Sequence, residues 1–152
     1  MAMKQIEVDS LVSMIDELQA NYWRDTKKGK IVIVDTSYLL DKDVLPMYSP
    51  IVVPFQVMIE LGQLKKRMKN RVKNVMTNIN QMKNISFQPF EMRKKCQQIF
   101  RVKQRDNDGH ILASALFMKK CYPFRKIYVY TNDKDLKCRC AHFEINTNVQ
   151  KQ

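Results

Sequence analysis

Four carboxylates in this chain stand where their chemistry has to be shared: Asp35, Glu60, Asp108 and Asp133. Asp35 follows the β-branched run Ile31-Val32-Ile33-Val34, and the hydroxyl residues Thr36 and Ser37 come next. Asp133 follows Ile127-Tyr128-Val129-Tyr130, with Thr131 and Asn132 between. Glu60 falls three residues after Val57 and four before Leu64, on the apolar side of a helix. Asp108 precedes Ile111, Leu112 and Ala115 by three, four and seven residues, so it points the way they do. Asp106 lies on the far side or ahead of that helix, where capping is its expected job, and Asn107 could support either aspartate. Two like charges about 4 Å apart repel by roughly 4 kcal/mol at a surface-like effective dielectric. Four in one cleft therefore require a cation or bound protons. Oxygen ligands without His or Cys suit a hard ion, Mg²⁺ or Mn²⁺. Such an ion beside a basic surface fits hydrolysis of a phosphodiester.

The elements that must position these groups are those of an α/β domain. Ile31–Val34 reads as a strand buried on both faces, the kind found inside a parallel sheet. Ligands of open α/β sheets sit beyond the carboxyl ends of the strands, where Asp35 and Asp133 stand. Tyr38-Leu39-Leu40 begins a short helix that Pro46 and Ser49-Pro50 close off. Ile51-Val52-Val53 is a second strand, and Pro54 suits the first position of a long helix expected to reach Asn84. The stripe of that helix is Leu61, Leu64, Met68, Val72, Val75, Ile79 and Met82. Ile85–Gln88 alternates as a short strand that Pro89 ends. The next stretch, Glu91 to Lys103, reads as helix or in part loop. Phe143-Glu144-Ile145 is expected as a last edge strand. Ahead of the first strand, Leu11, Ile15, Leu18 and Tyr22 recur at helical spacing, with Asp9 or Ser10 as cap and Lys27–Lys30 as exit. This N-terminal helix is expected to pack on the outside of the domain or to meet a protein partner.

The charge is concentrated. Of 27 Lys and Arg, 13 lie between Leu61 and Arg105, where Glu91 is the one acid; the remainder holds 14 basic and 14 acidic residues, so the net +12 belongs to the middle of the chain. Such a field favours a polyanion, with nucleic acid ahead of a membrane surface. Its densest part is Lys65, Lys66, Arg67, Lys69, Arg71 and Lys73, and Arg105 extends it; the lysines are expected largely on the helix face opposite the apolar stripe. Lys65-Lys66-Arg67 could also serve nuclear import. At 152 residues the length fits one domain. No apolar run approaches 18 residues, which excludes a membrane-spanning helix, and no basic-then-apolar leader is present, so secretion is not expected. Cys96, Cys121, Cys138 and Cys140 show no disulfide framework, which fits an intracellular chain, nuclear or cytoplasmic, with reduced thiols. Cys138-Arg139-Cys140-Ala141-His142 misses the usual zinc spacing, and packing cysteines are the better reading.

Taken in order, Val34-Asp35-Thr36-Ser37, Val53–Leu61 with Glu60, Asn107-Asp108-Gly109-His110-Ile111-Leu112 and Thr131-Asn132-Asp133-Lys134-Asp135-Leu136 resemble PIN-domain ribonucleases over residues 31 to 145. The nearest look is to the eukaryotic group of the nonsense-mediated-decay endonuclease and the Swt-type nuclear mRNA surveillance ribonuclease, with the latter favoured. The resemblance implies a three-layer, Rossmann-like fold with a mainly parallel sheet flanked by helices. With the N-terminal stripe and the polar end of the chain, the expected division is an N-terminal helix and linker over 1–28, a PIN-like nuclease domain over 29–147 and a polar tail over 148–152. The resemblance also implies Mg²⁺- or Mn²⁺-dependent endonucleolytic cleavage of single-stranded RNA, with no small-molecule substrate. Asp35, Glu60, Asp108 and Asp133 then become catalytic metal-binding acids. Thr36 and Thr131 become hydroxyls that orient them, with Asn107 and Asn132 in support. Ser37 stands where an Asn is common, and Gly109 where a larger polar residue is common; neither removes a carboxylate.

The competing readings come from other classes. A PIN-like scaffold could grip RNA or protein through the basic belt without cutting. A haloacid-type phosphatase would want an aspartate at position 37, and a receiver domain would want an acidic pair before the end of the first strand. Three glycines leave no phosphate-cradling loop. Metal-free cleavage would need His110 and His142 to converge, and His110 is expected on an exposed turn.

Overall fold

Strand β1, Lys30–Val34, is the centre of the molecule, and Ile31 through Val34 are fully buried. Apolar side chains on both faces of one strand are stable only when helices cover both faces of its sheet. That is the arrangement found. In the computed structural model, which describes residues 29–41, 45–46 and 49–148, β1 lies between β2 (Ile51–Val53) and β4 (Lys126–Tyr130), both parallel to it. β3 (Ile85–Phe87) flanks β2, and β5 (Asn146–Thr147) flanks β4, again in parallel. The sheet order is β3-β2-β1-β4-β5. The crossovers carry α1 (Thr36–Leu40), α2 (Phe55–Leu64), α3 (Lys69–Gln81), α4 (Phe90–Ile99), α5 (Asn107–Cys121) and α6 (Lys134–His142). The α/β class with a parallel, helix-flanked sheet thus stands as expected. Residues 1–28, where an N-terminal helix is expected, and the residues after Asn148 fall outside the described residues.

Strand order reverses beside β1: the chain runs outward through β2 and β3, then returns to β4 on the other side. The crevice beyond the carboxyl ends of β1 and β4 is the topological switch point, the usual ligand site of such sheets. It is closed at its base by the Asp35 backbone N–H donating to the Tyr130 carbonyl at 3.0 Å. Asp35 and Thr131 are the residues that leave those two strands.

Three local expectations are corrected. The helix expected from Pro54 to Asn84 is two helices, α2 and α3, joined by a turn at 65–68. Thirty helical residues would span about 45 Å, against about 10 Å for a three-residue strand, so one straight helix could not return the chain to β3 beside β2. Met68, with φ −131° and ψ 44°, makes the break. The lysines therefore do not share a single helix face: Lys65, Lys66 and Arg67 sit in the turn, Lys69, Arg71 and Lys73 on α3, all exposed. The last edge strand begins at Asn146 because Phe143 and Glu144 close α6. Ile145 N–H reaches the Cys140 carbonyl at 2.9 Å and Glu144 N–H the Ala141 carbonyl at 3.1 Å, a Schellman closure with Glu144 at φ 58°. Finally, His110 is no exposed turn residue. It lies in the first turn of α5 at 4% exposure, within hydrogen-bond distance of Arg93 and of the Gln104 carbonyl, and burial lowers its pKa.

Candidate active site

Asp35 is the N-cap of α1 and is buried. Its Oδ1 accepts from the Thr36 backbone N–H at 2.7 Å, and its Oδ2 accepts from Thr131 Oγ1 at 2.6 Å and Ser37 Oγ at 2.9 Å. Each donor fixes the carboxylate, and Thr131 does more: the same hydroxyl accepts from the Asp133 N–H at 3.0 Å. One buried threonine therefore couples the acid after β1 to the loop that carries the acid after β4. Asp133 caps α6, accepting from the Asp135 N–H at 2.9 Å and the Leu136 N–H at 3.4 Å through Oδ1.

Glu60, on α2, is half-buried and accepts from Thr36 Oγ1 at 2.5 Å. Gln56, one turn earlier, also hydrogen-bonds the Glu60 carboxylate. Burial raises the Glu60 pKa, and the charges of Asp35 and Asp108 raise it further against these hydrogen bonds. Asp108, in the first turn of α5, is pushed up to about 6, first by burial and then by Asp133 and Asp35, while Arg139 pulls it back. Glu60 thus feels Asp35 and Asp108, and Asp108 feels Asp35 and Asp133. The four carboxylates share one field at the carboxyl edge of the sheet. Among the described residues no three His, Cys, Asp or Glu side chains close into a ready-made metal cage. The donor set, all oxygen and mutually repelling, nonetheless suits a hard ion that keeps several of its waters, as Mg²⁺ does when one or two carboxylates hold it.

The supporting residues divide. Thr36 and Thr131 touch acids directly, as described. Asn132 turns outward: its N–H donates to Ser37 Oγ at 3.1 Å and its amide to Asp41 at 2.6 Å. Asn107 Oδ1 accepts from Gln56 Nε2 at 3.1 Å, which ties the start of α5 to α2. In the belt, Arg71 donates to the Leu40 carbonyl and lies 4.0 Å from Asp41, so α3 is fastened to α1 at the margin of the edge. Arg105 is exposed just ahead of α5.

Sequence reasoning passed over Gln56, Arg93 and Arg139. Arg93 Nε donates to Gln56 Oε1 at 2.9 Å and so braces the Glu60 helix from α4. Arg139 makes a two-pronged pair with Asp106, at 2.8 and 2.9 Å, which holds the Asp106 carboxyl below its usual range. No local spacing signals either contact, because each joins residues more than thirty positions apart. Asp106 is a cap, as its position required, accepting from the Gly109 N–H at 3.1 Å. Gly109 is forced by this: a Cβ there would collide with the Asp106 carboxylate and press on Val102 Cγ1. Gly109→Ala should therefore destabilise the protein by about 1–3 kcal/mol, the cost of an overpacked contact of this kind, and so lower the urea midpoint. An unchanged midpoint would show that Asp106 swings aside at no cost. Cys138 is exposed, while burial, and then the charges of Asp108 and Asp35, push the Cys140 thiol up to about 12.

Asp35 and Asp133 thus stand at the switch point of a parallel, helix-flanked sheet. The family profile of the PIN domain matches residues 32–150, and the chain belongs to the PIN-domain family. PIN domains are generally nucleases. No curated protein matches the chain. No helix among the described residues is long and apolar enough to cross a membrane.

Proposed function

We propose that this protein is a Mg²⁺- or Mn²⁺-dependent endoribonuclease that cuts single-stranded RNA, with Asp35, Glu60, Asp108 and Asp133 as its acidic residues. What supports the reading is the geometry of the edge, where Thr36 joins Asp35 to Glu60 and Thr131 joins Asp35 to the Asp133 loop, with Asp108 near enough for Asp133 and Asp35 to raise its carboxyl, in a chain with a large excess of positive charge. A fold gains nothing from crowding like charges unless a ligand relieves them. When bound, a divalent ion supplies charge stabilisation for the phosphoryl oxygens and an activated water.

The chain's own residues do the rest. Thr131 and Ser37 orient Asp35 Oδ2, and Thr36 and Gln56 orient Glu60. Asp108, whose carboxyl is raised by burial and by Asp133 and Asp35, would be one of the residues to hold the ion, whose charge would relieve that strain on its ionised form. The exposed cations Lys65, Lys66, Arg67, Lys69, Lys73 and Arg105, with Arg71 at the margin, draw in the phosphate backbone. A role in mRNA quality control, in the nucleus as for the Swt-type ribonuclease, is the setting we assign to this activity, and a protein partner for residues 1–28 is part of the same proposal.

The test is cleavage of an unstructured RNA with internal label. With Mn²⁺ the protein should release internal fragments, and with EDTA it should release none. Binding without cutting under both conditions would favour a scaffold instead.

A further inference from the structure

Two phenylalanines stand at the carboxyl edge without a role in the carboxylate site. Phe55 opens α2 immediately after β2, and Phe90 opens α4 immediately after β3, each following a proline at the N-cap. In an all-parallel sheet both positions lie on the edge that carries Asp35 and Asp133. Their rings meet edge to face, with centroids 5.5 Å apart and planes at 68°. Phe90 remains 48% exposed, and Phe87, the last residue of β3, is 36% exposed. An apolar ring half in water is not explained by the core. Phe124, the other large exposed phenylalanine among the described residues, lies ahead of β4 at the opposite edge.

The pair is joined to the site by two hydrogen-bonded residues. Gln56, next to Phe55, bonds Glu60 and Asn107, and Arg93, one turn after Phe90, bonds Gln56. Arg93, Lys94 and Lys95 follow Phe90 on α4 in the basic part of the chain. An exposed aromatic surface set among cations, one residue removed from the carboxylates, matches the way single-stranded nucleic acid is held: bases stack on rings while cations track the backbone.

We infer that the Phe55–Phe90 pair is a stacking platform for an unpaired nucleobase of the RNA strand, beside the phosphate that faces the acids. The platform makes the site select unpaired strands, because a base inside a duplex cannot present its face to Phe90. This rests on RNA being the ligand of the edge, as proposed above, and not on cleavage.

The test uses fluorescence anisotropy in EDTA, where nothing is cut, with labelled oligouridine and the same strand carrying abasic positions. Phe90→Ala should weaken oligouridine binding about 5- to 150-fold, the range for loss of one stacked base. It should leave the abasic strand and the salt slope unchanged, and Phe90→Trp should restore the affinity. As a contrast, alanines at Lys65, Lys66, Lys69 and Lys73 should flatten the salt dependence while the preference for intact bases persists. A Phe90→Ala protein that binds oligouridine as the parent does, or that loses both strands equally, overturns the platform. A parent that prefers intact bases but never cuts with Mn²⁺ sinks the nuclease reading and leaves the platform standing. A parent with no affinity for RNA ends both.

Discussion

Asp35→Asn is expected to slow RNA cleavage by on the order of 10³-fold or more while RNA affinity stays near the parent level. Several kcal/mol of charge stabilisation is what a metal ion contributes to such a transition state, and each 1.36 kcal/mol is tenfold in rate. Asp35 supplies the negative charge at the buried centre of the edge, so its loss weakens any cation held there. The variant should still fold. Asparagine has the same shape, and the Oδ2 position faces two hydroxyls, Thr131 and Ser37, which can turn from donating to accepting. The Oδ1 position faces a backbone N–H and keeps the carbonyl oxygen. The exchange costs about 1.5–3 kcal/mol of stability, the range for a hydrogen bond to charge. Cleavage rate with Mn²⁺, anisotropy in EDTA and a urea melt read the three quantities separately. Undiminished cutting would remove Asp35 from the proposed chemistry.

The second expectation runs in opposite directions for stability and activity. Asp108→Asn should stabilise the metal-free protein at pH 7.5 and abolish most of its cutting. The Asp108 carboxyl is raised from 3.8 to about 6 in the folded chain, chiefly by burial and then by Asp133 and Asp35. Below about pH 3 the side chain is neutral whether the chain is folded or not, so it contributes no difference. As pH rises, the unfolded chain ionises first and the folded chain only near 6, so stability is lost across that window and the loss is complete above it. The full shift corresponds to about 3 kcal/mol, and solvent screening of this partly exposed group reduces that to about 1 kcal/mol. Asparagine removes the penalty. In EDTA its advantage should therefore be present at pH 7.5 and absent at about pH 3. Mn²⁺ should reverse the ranking at pH 7.5, since a ligand that binds only the folded state stabilises it by mass action. Urea midpoints at the two pH values, with and without Mn²⁺, decide it. A variant no more stable than the parent in EDTA would mean that Asp108 does not bear the repulsion assigned to it.

These expectations rest on features that differ in how far the sequence announces them. The runs Ile31–Val34 and Ile127–Tyr130 are local: a strand buried on both faces needs continuous apolar residues, and the acid that follows must then emerge at the strand end. Asp106 and Asp108 are two residues apart, and helical period alone separates the cap from the residue that turns inward. The break at 65–68 is different. The apolar stripe passes through it without a fault in spacing, because Leu64 and Met68 serve both helices. The helix ends at Arg101 and Glu144 were equally hidden, since both take a left-handed conformation, φ 54° and 58°, at positions where glycine would have given the signal. His110 looked like a turn residue beside Asp-Gly, and only the packing of Arg93 and Gln104 around it shows otherwise.

The identity of the edge residues was therefore written in short-range pattern: apolar run, hydroxyl, carboxylate, and the 3.6-residue period that turns Glu60 and Asp108 inward. What the pattern could not contain is adjacency. Thr131 bonds Asp35 across 96 positions, and Gln56 bonds Arg93 across 37. Those contacts exist because the sheet takes the order β3-β2-β1-β4-β5, which sets β4 against β1. Strand order is decided by which apolar faces bury one another over the whole domain, and no window of a few residues carries that energy.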